Sequence, residues 1–277
     1  MPLYQSYQLQ IFYLEFIVFI SINKVVHFYF ALLVYFTFAL DTTLAIQSIE
    51  DKKGVLIESL EMPAKKIMTR LIATRAEESL NDLKKGLVKN RNRFEEATGF
   101  FGTDDLIIHD KSYPTLTELQ SRIKAVLRKN PNIKNIFVDH TGKIQLLGKT
   151  REDIEIGQIS AMLKKIARDY NIRVFLLQQL NRALETRENK RPKLSDLKNS
   201  GNIEEDADIV LGLYRESYYK QNKENNVSMY EKAQEAAEII ILKNRDGKTG
   251  TAHVGFEGKY VRFVEKEATE PIVVEFE

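Results

Sequence analysis

Four short apolar runs each close on a polar residue suited to phosphate chemistry. Glu61 follows VLIESL, Asp139 follows NIFV, Gln179 follows VFLLQ and Lys243 follows AEIIIL. A carboxylate at a strand end can orient and deprotonate a water that attacks a phosphate. An acid after an apolar strand is also a common holder of Mg²⁺ on a nucleotide. Each residue has a plainer explanation when taken alone. Asp often ends strands because it suits turns, and Glu61 stands where a helix dipole favours an acid at a helix entry. QQLNR is more pointed, because an amide followed by Asn181 and Arg182 is costly to place at a sheet edge without a partner.

Cations gather in two places. ILKNRDGKTGT reads as a β-hairpin turning at Asp246-Gly247, with Lys243, Arg245 and Lys248 at its tip. Residues 180–202 form a long polar loop holding Arg182, Arg187, Lys190, Arg191, Lys193 and Lys198 against Glu185, Glu188 and Asp196, a local net charge of +3. A flexible basic loop can read a phosphate backbone, and it can equally be a solvated surface. In SDLKNSGNIEEDADIVLGLYR, Ser200-Gly201 suggests a tight turn with backbone N–H groups available to an anion, and Glu204, Glu205, Asp206 and Asp208 an acidic turn leading into a strand.

The elements that must position these residues alternate from about Asp51 onward. The patterns predict strands at 54–60, 106–110, 135–139, 174–179 and 208–215, and helices at 63–86, 115–130 and 154–170, followed by the hairpin. Short apolar runs between amphipathic helices indicate an α/β fold, a mainly parallel sheet with helices on both faces and a C-terminal β-hairpin extension. In such sheets ligands sit at the carboxyl ends of the strands, where Glu61, Asp139, Gln179 and Lys243 are expected.

The 277-residue chain has a net charge of only +2, so any nucleic-acid surface must be local. With no cysteine, disulfides and thiolate metal sites are excluded, and none of the four histidines has metal-ligand spacing with another. Interspersed charges from Glu50 onward suit a cytoplasmic protein. The first forty residues differ: LQIFYLEFIVFISINKVVHFYFALLVYFTFAL is nearly all aliphatic and aromatic, and the first glycine is Gly54. A membrane segment, a buried helix and a stretch foreign to the following fold are competing readings of it, with Glu15, Lys24 and His27 interrupting any long span.

The segments VLIESLEMP, NIFVD, VFLLQQLNR, RPKLSDLKNSGNIEEDADIVLGLYR and IILKNRDGKTGT together resemble the RecA-like C-terminal motor domain of DnaB-type hexameric replicative helicases, over roughly residues 38–264. The resemblance implies a replicative helicase domain at 37–266, flanked by a non-matching segment at 1–36 and a tail at 267–277. It implies ATP and Mg²⁺ as cofactors, Glu61 as the water-polarising acid, Asp139 as the Mg²⁺-associated acid and Gln179 as a γ-phosphate sensor. Lys243 and Arg245 would act on the neighbouring subunit's nucleotide. Arg182, Arg191, Lys198, Asn199 and Gly201 would face single-stranded DNA. A hexameric ring is the implied assembly, and a primase or helicase loader the implied partner.

Two departures stand out. The family's phosphate-binding loop, GxxxxGK followed by Ser or Thr, should precede Phe38-Ala39-Leu40, and Val34-Tyr35-Phe36 stand there instead. Without glycines or a lysine the anion cradle cannot form as it does in the motif. The second is His140-Thr141-Gly142-Lys143, which reads as a small insertion. Impaired ATP binding is therefore expected. The alternative function is a non-catalytic remnant that binds DNA or an intact helicase ring.

Overall fold

Apolar runs too short for a helix and bounded by turns become strands buried on both faces. The computed structural model describes residues 28–32, 37–140, 144, 152–178, 180, 184, 186–197, 201–221 and 235–265. Nine strands form one sheet in the order β3-β2-β4-β5-β1-β6-β7-β8-β9. They are β1 (Phe28–Leu32), β2 (Gly54–Ser59), β3 (Leu106–His109), β4 (Ile133–Asp139), β5 (Arg173–Gln178), β6 (Ile209–Tyr214), β7 (Glu235–Asn244), β8 (Gly250–Glu257) and β9 (Arg262–Val264). Pairing is parallel from β3 through β6 and antiparallel from β6 to β9, so the predicted mixed architecture is the observed one.

The helices are α1 (Thr37–Glu50), α2 (Ala64–Ala76), α3 (Leu80–Lys84), α4 (Arg91–Phe101), α5 (Leu116–Lys129), α6 (Glu152–Tyr170), α7 (Gly201–Asp206) and α8 (Glu216–Gln221). Crossovers from β1 to β2 and β2 to β3 travel one way across the sheet, and those to β4, β5 and β6 travel back. Because such crossovers are right-handed, a reversal of direction switches the face. Leu40, Leu44, Ile67 and Leu71 of α1 and α2 accordingly pack with Ile57, Phe137, Phe175 and Leu211 on one face. Leu119, Ile123, Leu163 and Ile166 of α5 and α6 pack with Leu56, Ile136, Val138 and Val210 on the other. Helix α5 starts at a capping box, in which the Glu118 N–H donates to Thr115 Oγ1 at 3.2 Å and the Thr115 N–H to Glu118 Oε2 at 2.8 Å.

Two expectations change. The single helix expected over 63–86 is two, α2 and α3. Glu77 takes a left-handed conformation (φ 54°) that closes α2, and the Ser79 hydroxyl caps α3 by accepting from the Asp82 N–H at 3.3 Å. The boundary drawn at 36/37 falls inside the sheet. Phe28–Leu32 lie on its far side, yet they form β1, paired parallel to β5 and β6. Among the described residues no helix is long and apolar enough to cross a membrane.

An irregularity in β7 sets the direction of its terminal side chains. In the β6–β7 ladder Leu211 pairs with Ile241 but Val210 pairs with Lys243, leaving Leu242 as an extra residue in β7. A bulge of this kind shifts the side-chain alternation by one. Strict alternation from Ile239 and Ile241 would point Lys243 to the α1/α2 face. Pairing with Val210 instead puts Lys243 on the α6/α7 face.

Candidate functional site

Glu61 and Asp139 come together because β2 and β4 are neighbours in register, Ser59 opposite Asp139. The Leu60 N–H donates to the Asp139 carbonyl at 2.7 Å, and the Met62 N–H to Ser59 Oγ at 3.1 Å. These bonds close the turn that leaves Glu61 at its tip, its side chain 51% exposed. His140 Nε2 lies 2.8 Å from Glu61 Oε2. Sequence reasoning treated His140 only as the start of an insertion, and the rest of that insertion, residues 141–143, lies outside the described residues.

Asp139 alternates onto the same face as Phe137, toward α1. There it meets Asp41, which no motif singled out and which is 4% exposed. Burial holds the Asp41 carboxyl well above the usual carboxylate range, and the charge of Asp139 raises it further. Burial also raises the Asp139 carboxyl. His140 counters that most, Glu61 adds to it, and Arg70 counters it again. The available signal was a lone acid inside an otherwise apolar helical run, FALDTTLAI.

Asp41 supplies a test with a defined sign. A carboxyl whose folded pKa lies above its unfolded value contributes stability that is complete below the unfolded pKa and is lost as pH rises through the folded one. Asp41→Asn removes that loss. Its melting temperature should exceed the parent's at pH 7, and the gain should vanish toward about pH 3, below the ordinary carboxylate range. Identical thermal melts of the two proteins at pH 7 would show that the buried charge carries no such cost.

These residues do not fit the triphosphate of a nucleotide. Helix α1, which follows β1 where a phosphate loop belongs, contains no Lys, Arg or His, and it adds the buried acid Asp41 beside the half-buried Asp139. Such a pair repels phosphate oxygens. Among the described residues no group of three His, Cys, Asp or Glu side chains is placed to hold a metal ion.

Lys243 and Arg245 are not part of this cluster, contrary to the expectation that Lys243 joins Glu61 and Asp139 at the carboxyl ends of the strands. Because β7 runs antiparallel, its end pairs with the start of β6, Asn244 opposite Ile209. That position is four strands from β4, about 19 Å at the usual ~4.8 Å spacing. The bulge also turns Lys243, and with it Arg245, to the opposite face. There Arg245 Nη1 donates to Asp208 Oδ1 at 2.9 Å and Nη2 to the Glu205 carbonyl at 2.7 Å, while Lys243 Nζ bonds the Glu204 carbonyl. Burial, then the adjacent Arg245, push the Lys243 ammonium below the usual lysine range.

The proposed DNA-facing residues divide. Arg182, Lys198 and Asn199 lie outside the described residues, as does Gln179, the expected γ-phosphate sensor. Gly201 opens helix α7, so Glu204, Glu205 and Asp206, expected as an acidic turn, are helical. Arg191 is engaged within the chain. It forks onto Glu238 at 2.7 and 2.6 Å, and its guanidinium lies 4.6 Å from the centre of the Tyr214 ring.

Comparison with known proteins agrees with this architecture. The family model "DnaB-like helicase C terminal domain" matches residues 36–265. Replicative DNA helicase DnaB of Haemophilus influenzae is 37% identical over 220 residues, covering 76% of this chain and 45% of the relative. DnaB of Pasteurella multocida is 36% identical over 221 residues, covering 78% and 46%. The chain thus spans about half the length of these relatives. A solved structure described as an ATPase domain superposes with a TM-score of 0.76 at 31% identity, covering 88% of this chain and 85% of that one. A DnaB-like replicative helicase described with its interactions with primase superposes equally well, at a TM-score of 0.76 and 31% identity, over 87% of this chain and 57% of its own. With its RecA-like parallel sheet and a match running from residue 36 to residue 265, this chain belongs to the DnaB-like helicase C-terminal domain family.

Proposed function

We propose that this chain is a ring subunit of a replicative DNA helicase whose own phosphate pocket is impaired and which serves a neighbouring protomer in trans. Lys243 and Arg245 are the groups it offers, and residues 198–201 together with Arg182 are its contacts to single-stranded DNA. The observation carrying this reading is the separation of the two charge groups. The cations are held on the opposite face from Asp139 and about 19 Å across the sheet, so they cannot serve the acids of their own subunit. Arg245 is half exposed, so it can leave Asp208 for an anion brought by another chain.

Glu61, Asp139 and Gln179 retain the residue types of a hydrolytic site in this family. With no cation or glycine cradle to bring a triphosphate to them, they carry no step of hydrolysis in this chain. What is missing is the cation and the glycine cradle that would bind the triphosphate, since Val34-Tyr35-Phe36 stand in their place. The extension to this chain covers ring formation and DNA contact. A primase or helicase loader is the further partner that the family resemblance proposes.

Purified alone, the protein is expected to hydrolyse ATP no faster with poly(dT) than without it, at or near the blank. Hydrolysis stimulated by single-stranded DNA would overturn the impaired pocket. Added to a DnaB-type helicase with an intact phosphate-binding loop, the chain should change that enzyme's ATPase rate. No change at any ratio would overturn the service in trans.

A further inference from the structure

We infer that Asp246-Gly247, at the tip of the β7–β8 hairpin, is a site of spontaneous covalent modification, where aspartate isomerises to isoaspartate and unseats Arg245. Of the 13 glycines in the chain, Gly247 alone follows an Asp or an Asn. The tip lies beyond both ladders. Strand β7 pairs with β8 as far as Ile241 opposite Gly250, and with β6 as far as Asn244 opposite Ile209. Residues 245–249 are all exposed, and among the described residues the Gly247 N–H donates to no backbone carbonyl. Glycine stands there for a packing reason. A methyl group on Gly247 would lie 2.6 Å from Asn244 Nδ2, which donates to the Lys248 carbonyl at 3.3 Å across the turn. The close approach that demands glycine therefore also leaves an unhindered amide nitrogen next to a carboxyl.

The Gly247 nitrogen attacks Cγ of Asp246. The N–Cγ bond forms, and the amide hydrogen leaves with the carboxyl OH as water, giving a cyclic imide. Water then opens the ring. Cleavage of the N–Cγ bond restores aspartate. Cleavage at the main-chain carbonyl instead leaves the chain running through Cβ, with a free carboxylate in place of that carbonyl. No oxidant, reductant or further reactant enters. Ring closure needs the Asp246 carboxyl to swing onto the nitrogen, a motion that a ladder bond at Gly247 would oppose and an exposed tip permits. The product adds a main-chain carbon one residue past the last anchored position, since the Arg245 N–H donates to the Asp208 carbonyl at 2.8 Å. The chain leaving Arg245 then takes a new direction, and the fork of Arg245 on Asp208 and the Glu205 carbonyl is disturbed. That consequence rests on the reading that Arg245 serves a neighbouring protomer.

The test ages the full chain at neutral pH and physiological temperature. Isoaspartate is read by methyl transfer from labelled S-adenosylmethionine with an isoaspartyl methyltransferase, and is placed by Asp-N digestion and mass spectrometry, since Asp-N does not cut at isoaspartate. The label should grow with time at 246 in the parent and be absent there in Asp246→Glu, whose longer side chain disfavours the imide. The same chain held unfolded in urea gives the reference rate. Label that appears at 246 only in the unfolded chain would overturn the site, because the fold would be protecting it. Fresh and aged parent are then titrated into a DnaB-type helicase with an intact phosphate-binding loop. The aged parent should lose its effect on the ATPase rate, and aged Asp246→Glu should keep it. A labelled parent that acts as the fresh protein does would overturn the consequence for Arg245. If neither fresh nor aged protein acts, the trans reading fails and the consequence with it, while the label at 246 still decides the site.

Discussion

Arg245→Ala should abolish the effect of this chain on a neighbouring helicase subunit while leaving its own fold intact. A finger that stabilises charge on a transferring phosphoryl group is worth roughly 10³–10⁵ in rate. At junctions where this chain supplies the finger, turnover is therefore expected to fall by at least ~10³. The stability cost should be small. Arg245 is half exposed, and Asp208 keeps Lys164 after the substitution, so the lost ion pair is worth at most about 1 kcal/mol. Arg245→Lys should not rescue, since a point charge cannot reproduce the planar fork. The measurement is the ATPase rate of a DnaB-type helicase titrated with each variant, beside thermal melts. If Arg245→Ala acted as the parent does, Arg245 would have no part in the neighbour's site.

Phe137→Ala should be the most damaging single truncation in the sheet. Phe137 is 1% exposed and stacks on Phe175 with centroids 4.6 Å apart and planes at 9°. It packs from β4 against α1, two positions before Asp139 on the same face. Removing a buried ring costs about 3–5 kcal/mol from lost transfer energy and the cavity left behind. In a domain of this size that lowers the melting temperature by roughly 10 °C. Phe137→Leu preserves most of the volume and should cost less than about 1.5 kcal/mol. Melts of the three proteins decide it, and a drop of only a degree or two in Phe137→Ala would show that the face is loosely packed.

The order of strands and helices was legible because buried parallel strands demand apolar runs and surface helices demand a stripe. VLIES, NIFVD and TLTELQSRIKAVL show those patterns without ambiguity. The break after α2 was hidden, since a glutamate in the left-handed region is rare and AEESLNDLKKG reads as uninterrupted helix. Strand β1 was hidden because a continuous apolar stretch has no period to separate strand from helix, and its partners lie far along the chain. Asp41 escaped notice for a related reason, as nothing in FALDTTLAI announces that the helix will press this acid against Asp139.

Residue types and their order along the chain determined the α/β class, the family and the adjacency of Glu61 to Asp139, because neighbouring parallel strands bring their ends together without further instruction. Tertiary structure decided where Lys243 and Arg245 point. One extra residue, Leu242, reverses the face of a strand, and the run IIIL is equally apolar with or without the bulge. That reversal places the cations beyond the reach of their own acids and rests them on α7, because side-chain alternation has a period of two and a single insertion inverts it.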